Sequence, residues 1–246
     1  MLVFVERDLY LSKSPPVLLA HILSPIIWVG VFGVIFSLHL ETILYCNRYI
    51  PYLVFLVFGV VTVSTFYTYS SIFATVRLDF VTRFMYLVIS SGNSFYVYFM
   101  GKIIAQYIMV LLQSLIIFAI VYMLSGFYLT LLLAIILCAL LFIYTIFWSF
   151  IGVILSLYVR SHYYRDLIFT LLNPMPLIST AYYTIPQNQP LLATLLYANP
   201  ITYQADLLRS IILLGYIDIK LVAINVILLI VISLITIITI QRKIYY

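Results

Sequence analysis

Charge is what this chain has least of. Asp, Glu, Lys and Arg make up 8% of its 246 residues, against roughly a quarter in a soluble domain, while 66% are hydrophobic. So little charge excludes a water-facing globular surface, and the chain reads as an integral membrane protein. Ten-residue strands of alternating polarity, the mark of a membrane barrel, are missing. Apolar runs of about 20 residues between short polar breaks are present instead, and they read as helices. Cysteine is nearly absent too. Cys46 falls in an expected outer loop and Cys138 in mid-span, so no disulfide is expected, and neither has a second soft ligand nearby to suggest a metal site.

The signatures of several chemistries are also missing. There is no G-x-x-x-x-G-K-[ST] phosphate loop, no H-E-x-x-H and no G-x-S-x-G. His21 and His39 stand 18 residues apart, about 27 Å along a helix, and cannot share one metal or catalytic site within it. Each reads as an interfacial or bundle-facing histidine, and His162 as part of a basic cluster with Arg160 and Arg165. None of the seven acidic residues falls in the middle of an expected span, which argues against a proton-driven path. The chain is expected to be no enzyme, to bind no cofactor of its own, and, if it transports, to need a separate motor.

What is there is a succession of spans forming a single transmembrane domain over 1–246. Residues 1–16 mix Glu6, Arg7, Asp8 and Lys13 with apolar side chains and end at Pro15–Pro16, which suits an amphipathic helix lying in the interface; a frayed tail is the bland alternative. No secretory signal layout is visible, so the first span is expected to be retained. Spans are expected at about Val17–Leu40, Tyr52–Val76, Ile103–Leu124, Leu129–Tyr158, Leu167–Tyr183 and Leu221–Ile240, with 241–246 as an inner tail. The fifth carries Asn173, Pro174 and Pro176, and proline inside a span kinks it. The expected fold is an all-α integral membrane protein: six transmembrane helices, an N-terminal interfacial helix, and a re-entrant helical hairpin between spans 5 and 6. No internal repeat is visible.

Six spans put both termini on one side. Placing them inside gives inner segments with Arg7, Lys13, Arg77, Arg83, Lys102, Arg160, Arg165, Arg242 and Lys243, and leaves Arg48, Arg209 and Lys220 outside. That distribution obeys the positive-inside rule, which the reverse orientation violates, and a multi-pass plasma-membrane protein with cytoplasmic termini is expected. The inner loop Arg77–Lys102 places Arg77, Asp79 and Arg83 on an apolar amphipathic stretch, with a turn at Ser90–Asn93. It is either a contact surface for a partner or an interfacial helix that anchors the bundle.

Residues 184–220 are too polar and too often broken by proline to cross a bilayer, yet too apolar for a free loop. Pro190 and Pro200 sit where a first helical turn tolerates proline, and Gly215 where a helix ends. Two short helices are expected, about Pro190–Ala198 and Ile201–Leu214. Asp206 and Arg209, three apart, can pair along one face. Their role is either local neutralisation near lipid or gating, and Tyr203 either caps the hairpin or belongs to the interfacial aromatic belt.

These stretches resemble the membrane subunit (permease) of type-2 ABC exporters, the ABC-2 type transporter permease family. Arg7 to Gly33, R-D-L-Y…P-P-V-L-L-A-H-I-L-S-P-I-I-W-V-G-V-F-G, is similar to that family's interfacial helix and first span. Tyr49–Gly59 resembles the start of its second span, and Phe99–Lys102 the end of its coupling segment. The most specific likeness is N-P-I-T-Y-Q-A-D-L-L-R, Asn199–Arg209, after an I-P…P segment at Ile185–Pro190. The coupling loop departs from the family pattern: Phe80, not glycine, follows Asp79, and Arg83-Phe84 replaces an Arg-Gly-like step. Ser179-Thr180 stands where the family often has Ser-Gly.

The resemblance implies a homodimer or pseudo-dimer of permeases in membrane lipid, bound to ATP-binding subunits that hold the ATP and magnesium, with no nucleic-acid partner. It implies outward movement of substrate at the subunit interface. Glu6, Arg7, Asp8, Arg77, Asp79 and Arg83 would couple to the ATPase subunit, and Pro186, Pro190, Asn199, Pro200, Tyr203, Asp206 and Arg209 would form the outer gate. A passive channel or structural membrane subunit without a motor is the alternative. The 23 tyrosines fit an interfacial belt better than a sugar path, and lipid-linked glycan, lipid, drug and peptide all stay open as substrates.

Overall fold

The computed structural model describes residues 1–12, 15–92, 94–159, 162–185 and 189–242. In chain order it runs α1 (Leu2–Ser12), α2 (Pro15–Pro25), a π-helical segment (Ile26–Gly33), α3 (Val34–His39), β1 (Thr42–Tyr45), β2 (Arg48–Pro51), α4 (Tyr52–Phe66) and α5 (Thr68–Val81). It continues through α6 (Phe84–Ser90), α7 (Phe95–Ser125), α8 (Leu131–Tyr158), α9 (His162–Leu172), α10 (Pro190–Tyr197), α11 (Pro200–Ile212) and α12 (Ile219–Ile240). Five stretches among the described residues are long and apolar enough to cross a membrane: His21–His39, Tyr52–Val81, Phe95–Ser125, Leu131–Tyr158 and Ile219–Ile240.

Local chemistry sets the helix ends. Ser94 caps α7 by accepting from Val97 N–H at 3.3 Å, and Gly126, at φ 68°, stops it. Thr130 caps α8, and Asp218 caps α12 by accepting from Lys220 and Leu221 N–H. Pro190 and Pro200 each open a helix, as a residue with no N–H to lose can at the first turn. The α4–α5 span is the centre of the bundle: 83% of its most apolar stretch is buried within the chain, against 11% for α12. α5 packs against α8, α4 against α7 and α11, and α12 against α8 and α11.

Several expectations need correction. The third span does not begin at Ile103: α7 starts at Phe95, eight residues earlier, because nothing after the Ser94 cap breaks it and the Lys102 charge is neutralised within the bundle. The expected long inner loop Arg77–Lys102 is accordingly mostly helix, divided among the end of α5, α6 and the start of α7. The Leu167–Tyr183 segment is not one kinked helix. α9 ends at Leu172 and the chain continues in turns through Asn173–Tyr183, since Pro174 and Pro176 cannot supply the N–H groups a helix needs. The first span contains eight π-helical residues that begin directly after Pro25. The expected outer loop around Cys46 forms an antiparallel hairpin with Thr42 opposite Pro51 and Tyr45 opposite Arg48, so the all-helical expectation missed a small sheet. Cys46 and Asn47 both take positive φ, 48° and 62°, the backbone that a two-residue hairpin turn requires.

Candidate functional site

The expected site residues collect at the two ends of the α4–α5 span. At the α5 end, α1 lies against α7, where Gly101 lets the α1 backbone approach: a methyl there would sit 2.7 Å from Phe4 Cβ. Three helices contribute to a buried ion cluster. Lys102 Nζ lies 2.9 Å from Asp8 Oδ2 and 3.0 Å from Asp79 Oδ2, and Arg7 pairs with Asp79 from the other side. Tyr98 donates its hydroxyl to Asp79 Oδ2, and the Arg7 guanidinium lies 3.9 Å from the Phe84 ring. Lys102, Asp79 and Asp8 are 1%, 2% and 4% exposed. Two cations and two carboxylates balance, which is what allows them to leave water, and removing one partner of such a buried pair typically costs about 3–5 kcal/mol.

Of the residues expected to face an ATPase subunit, Glu6 and Arg83 are exposed, Arg7 and Arg77 are half-buried, and Asp8 and Asp79 are turned inward onto Lys102. Arg83 takes a left-handed backbone, φ 59°, in the turn between α5 and α6. The structure thus brings Arg7, Asp8 and Asp79 together around Lys102, which the sequence marks as an inner charge and the end of the coupling-segment likeness but not as a site residue. Lys102 in the run F-M-G-K-I-I-A was the available signal, since a cation in an apolar helix needs a partner.

At the α4 end the organising residue is Arg209 of α11, which is 0% exposed. Its Nε donates to the Phe55 carbonyl at 3.2 Å, Nη1 to the Thr180 carbonyl at 2.6 Å, and Nη2 to the Ala181 carbonyl at 2.8 Å. Nη1 also reaches Asp206 Oδ1 at 3.3 Å, and the guanidinium stacks 3.6 Å from the Phe55 ring centroid. The planar fork, with five fixed donors, suits this spread of acceptors, which a lysine could not match. Asp206 accepts in addition from the Thr180 hydroxyl at 3.1 Å. Arg209 therefore ties α11 to α4 and to the turns after α9, and the pair faces the bundle rather than lipid.

The remaining gate candidates support the same corner. Asn199 caps α11 through Ile201 N–H at 3.0 Å, and its Nδ2 donates to the carbonyls of Met175 and Ile178 at 2.7 and 2.6 Å. Pro200 opens α11 beside it. Tyr203 donates its hydroxyl to the Tyr197 carbonyl at 2.6 Å, capping α10 across the bend. Pro190 is exposed at the start of α10, away from the Arg209 cluster, and Pro186 lies outside the described residues. Gln204 was missed: its Oε1 accepts from Trp148 Nε1 at 2.9 Å and its carbonyl from the Tyr144 hydroxyl at 3.1 Å, which joins α11 to α8. Tyr45 of the β-hairpin points its hydroxyl at the Asp206 carbonyl, 3.4 Å away, and burial, with the Asp206 charge adding to it, pushes that hydroxyl's pKa up.

The described residues contain no group of His, Cys, Asp and Glu placed to hold a metal ion. In comparison with known proteins, the family model described as ABC-2 type transporter matches residues 3–213, which include both clusters. A search of curated proteins finds no match.

Proposed function

The chain belongs to the ABC-2 type transporter family, and from that membership we propose that it is the permease of an ATP-driven exporter, coupled to separate ATP-binding subunits. It is a multi-pass membrane permease of the ABC type, a class whose ATPase activity resides in partner subunits. The observation that carries the coupling is the ion cluster that fixes α1 to α5 and α7. A motor that pushes on α1 then moves two spans with it, because the helices share buried charges that cannot separate without a large cost. Glu6, Arg77 and Arg83 offer the contact surface. Asp8 and Asp79 work behind it by holding Lys102 and Arg7.

Five continuous spanning helices would leave the termini on opposite sides of the membrane. The positive-inside count favours both termini in the cytoplasm, so α9 and the turns after it supply the sixth passage. The α10–α11 hairpin then dips back from the outer face, with α11 and the Asn199 bend seated in the bundle, where irregular backbone is tolerated at depth. Two such permeases enclose the path between them, along which a lipid-linked glycan, lipid, drug or other amphipathic substrate moves outward. The test is co-expression of the tagged chain with candidate ATP-binding subunits from the same genome. One of them should co-purify stoichiometrically and hydrolyse ATP faster in the complex, and Glu6→Ala with Arg83→Ala should weaken that recovery several-fold. Recovery of the chain without any such subunit would leave the passive channel or structural subunit standing.

A further inference from the structure

Between the first span, the α4–α5 span and α7 lies a partly open cavity of about 60 Å³ with a mixed apolar and polar lining. Gln113 on its wall is 18 residues from the start of α7 and 12 from its end, about 27 and 18 Å by helix rise, so the cavity lies deep between the ends of that helix. Its polar lining includes His21, Ser64, Thr68, Ser71, Gln106 and Gln113, with no Asp, Glu, Lys or Arg among the lining residues. The Gln113 carboxamide meets the His21 imidazole, with Nε2 2.7 Å from Nδ1. Ser64 and Thr68 give their protons to their own helix, at the Val60 and Thr65 carbonyls, so their oxygens are left to accept from the cavity. Gln106 is the decisive side chain. It is 5% exposed, borders the cavity, and makes no hydrogen bond to any described residue.

The Gln106 carboxamide atoms are not among the sealed, unpartnered side-chain polar atoms of the described residues, which are Arg7 Nη1 and Ser149 Oγ, so they open onto the cavity and can bond a guest able to donate and accept. Both neighbouring spans also lose regularity at this cavity. Pro25 lacks the N–H that a regular helix would return to the His21 carbonyl, and the π-helical segment starts at the next residue. Tyr67, which separates α4 from α5, lines it as well. We propose that this cavity is an intramembrane site for uncharged hydroxyl groups, hydrogen-bonded to Gln106 and Gln113. Its volume is well above the roughly 10–15 Å³ needed to admit a water, so it can hold water or the hydroxyls of an amphiphile head that displaces it. It excludes ions, having no charge to offset their dehydration. The site stands whether or not a motor drives the chain.

Hydroxyl-radical footprinting by X-ray pulse reads it directly, because radicals form from bound water and oxidise the nearest side chain. Met109 lines the cavity and is 6% exposed, whereas Met85 is 1% exposed in an apolar cluster. With the full chain in phosphatidylcholine nanodiscs, Met109 should oxidise several-fold faster than Met85. Gln106→Leu should bring Met109 down toward Met85, and Gln106→Asn should restore part of the difference. Adding a monoacylglycerol separates the two sources: a fall in Met109 oxidation identifies amphiphile hydroxyls, and an unchanged rate identifies water alone. Met109 protected as well as Met85 in the unaltered chain, or a Met109 rate indifferent to Gln106→Leu, overturns the proposal.

Discussion

At Arg209 a guanidinium has exchanged water for three main-chain carbonyls, one carboxylate and an aromatic face. Replacing it with methionine leaves the Phe55, Thr180 and Ala181 carbonyls without this donor in a closed interior and Asp206 without its counter-charge. The expected destabilisation is about 3–5 kcal/mol. Arg209→Lys should recover little of that, since one ammonium on a flexible stem cannot reach acceptors on three segments. Thermal unfolding in detergent, followed by size-exclusion of the soluble fraction, checks both, and a methionine variant that melts with the parent would contradict the role assigned to the residue. Arg209 and Asp206 were legible in the sequence as a pair at helical spacing. That the pair is buried was not, because the carbonyls that hold Arg209 belong to residues 28, 29 and 154 positions away, and backbone acceptors carry no sequence signal.

Among the glycine positions of the described residues, the tightest approach is between α4 and the turns after α9. A methyl added at Gly59 would lie 1.8 Å from the Ala181 carbonyl oxygen, the same oxygen that Arg209 holds. Gly59→Ala must therefore push a backbone segment away and is expected to cost at least about 1–3 kcal/mol. At Gly30, in the π-helical segment, the nearest atom to an added methyl is Ile26 Cγ2 at 3.8 Å, so Gly30→Ala should melt like the parent. Comparing the yield and melting temperature of the two variants tests whether the turn segment is seated on α4 as described. The helices α8, α10, α11 and α12 were readable to within a few residues, because capping side chains, prolines at first turns and unbroken apolar runs are local signals. The extension of α5 and α7 into an expected loop was not readable, because the ion cluster that tolerates Asp79 and Lys102 forms only when α1 docks. The Thr42–Pro51 hairpin was not readable, because its two-residue turn is Cys46-Asn47 rather than one of the glycine-containing pairs that mark such turns.

For the whole molecule, the question is which surfaces meet water. Ala205 and Leu208 on α11 are 0% exposed, while Ile217, just beyond that helix, is 65% exposed. In a background with Cys46→Ser and Cys138→Ala, a membrane-impermeant maleimide should label Ile217→Cys from outside and leave Ala205→Cys and Leu208→Cys unmodified. Free labelling at the two buried positions would count against a hairpin that returns into the bundle, and labelling of Ile217→Cys only after the membrane is opened would reverse the topology. The membrane class and the family were legible from composition and from the Asn199–Arg209 run. Substrate was not, since apolar side chains facing lipid and apolar side chains facing a path are the same residue types.

The sequence separations around Arg209 have a consequence for how the protein is made. A chain emerging from the ribosome presents Phe55 early, Thr180 and Ala181 much later, and the arginine that needs all three only near the end. Until then the earlier spans sit in the membrane with this corner unsealed, its carbonyls served by water or by the insertion machinery. Assembly of that end is thus a late step, completed when α11 swings in and delivers its charge to a receptor already built. A nascent chain cut short before residue 209 would lack the donor that joins the Phe55, Thr180 and Ala181 carbonyls, and that end of the bundle would stay open.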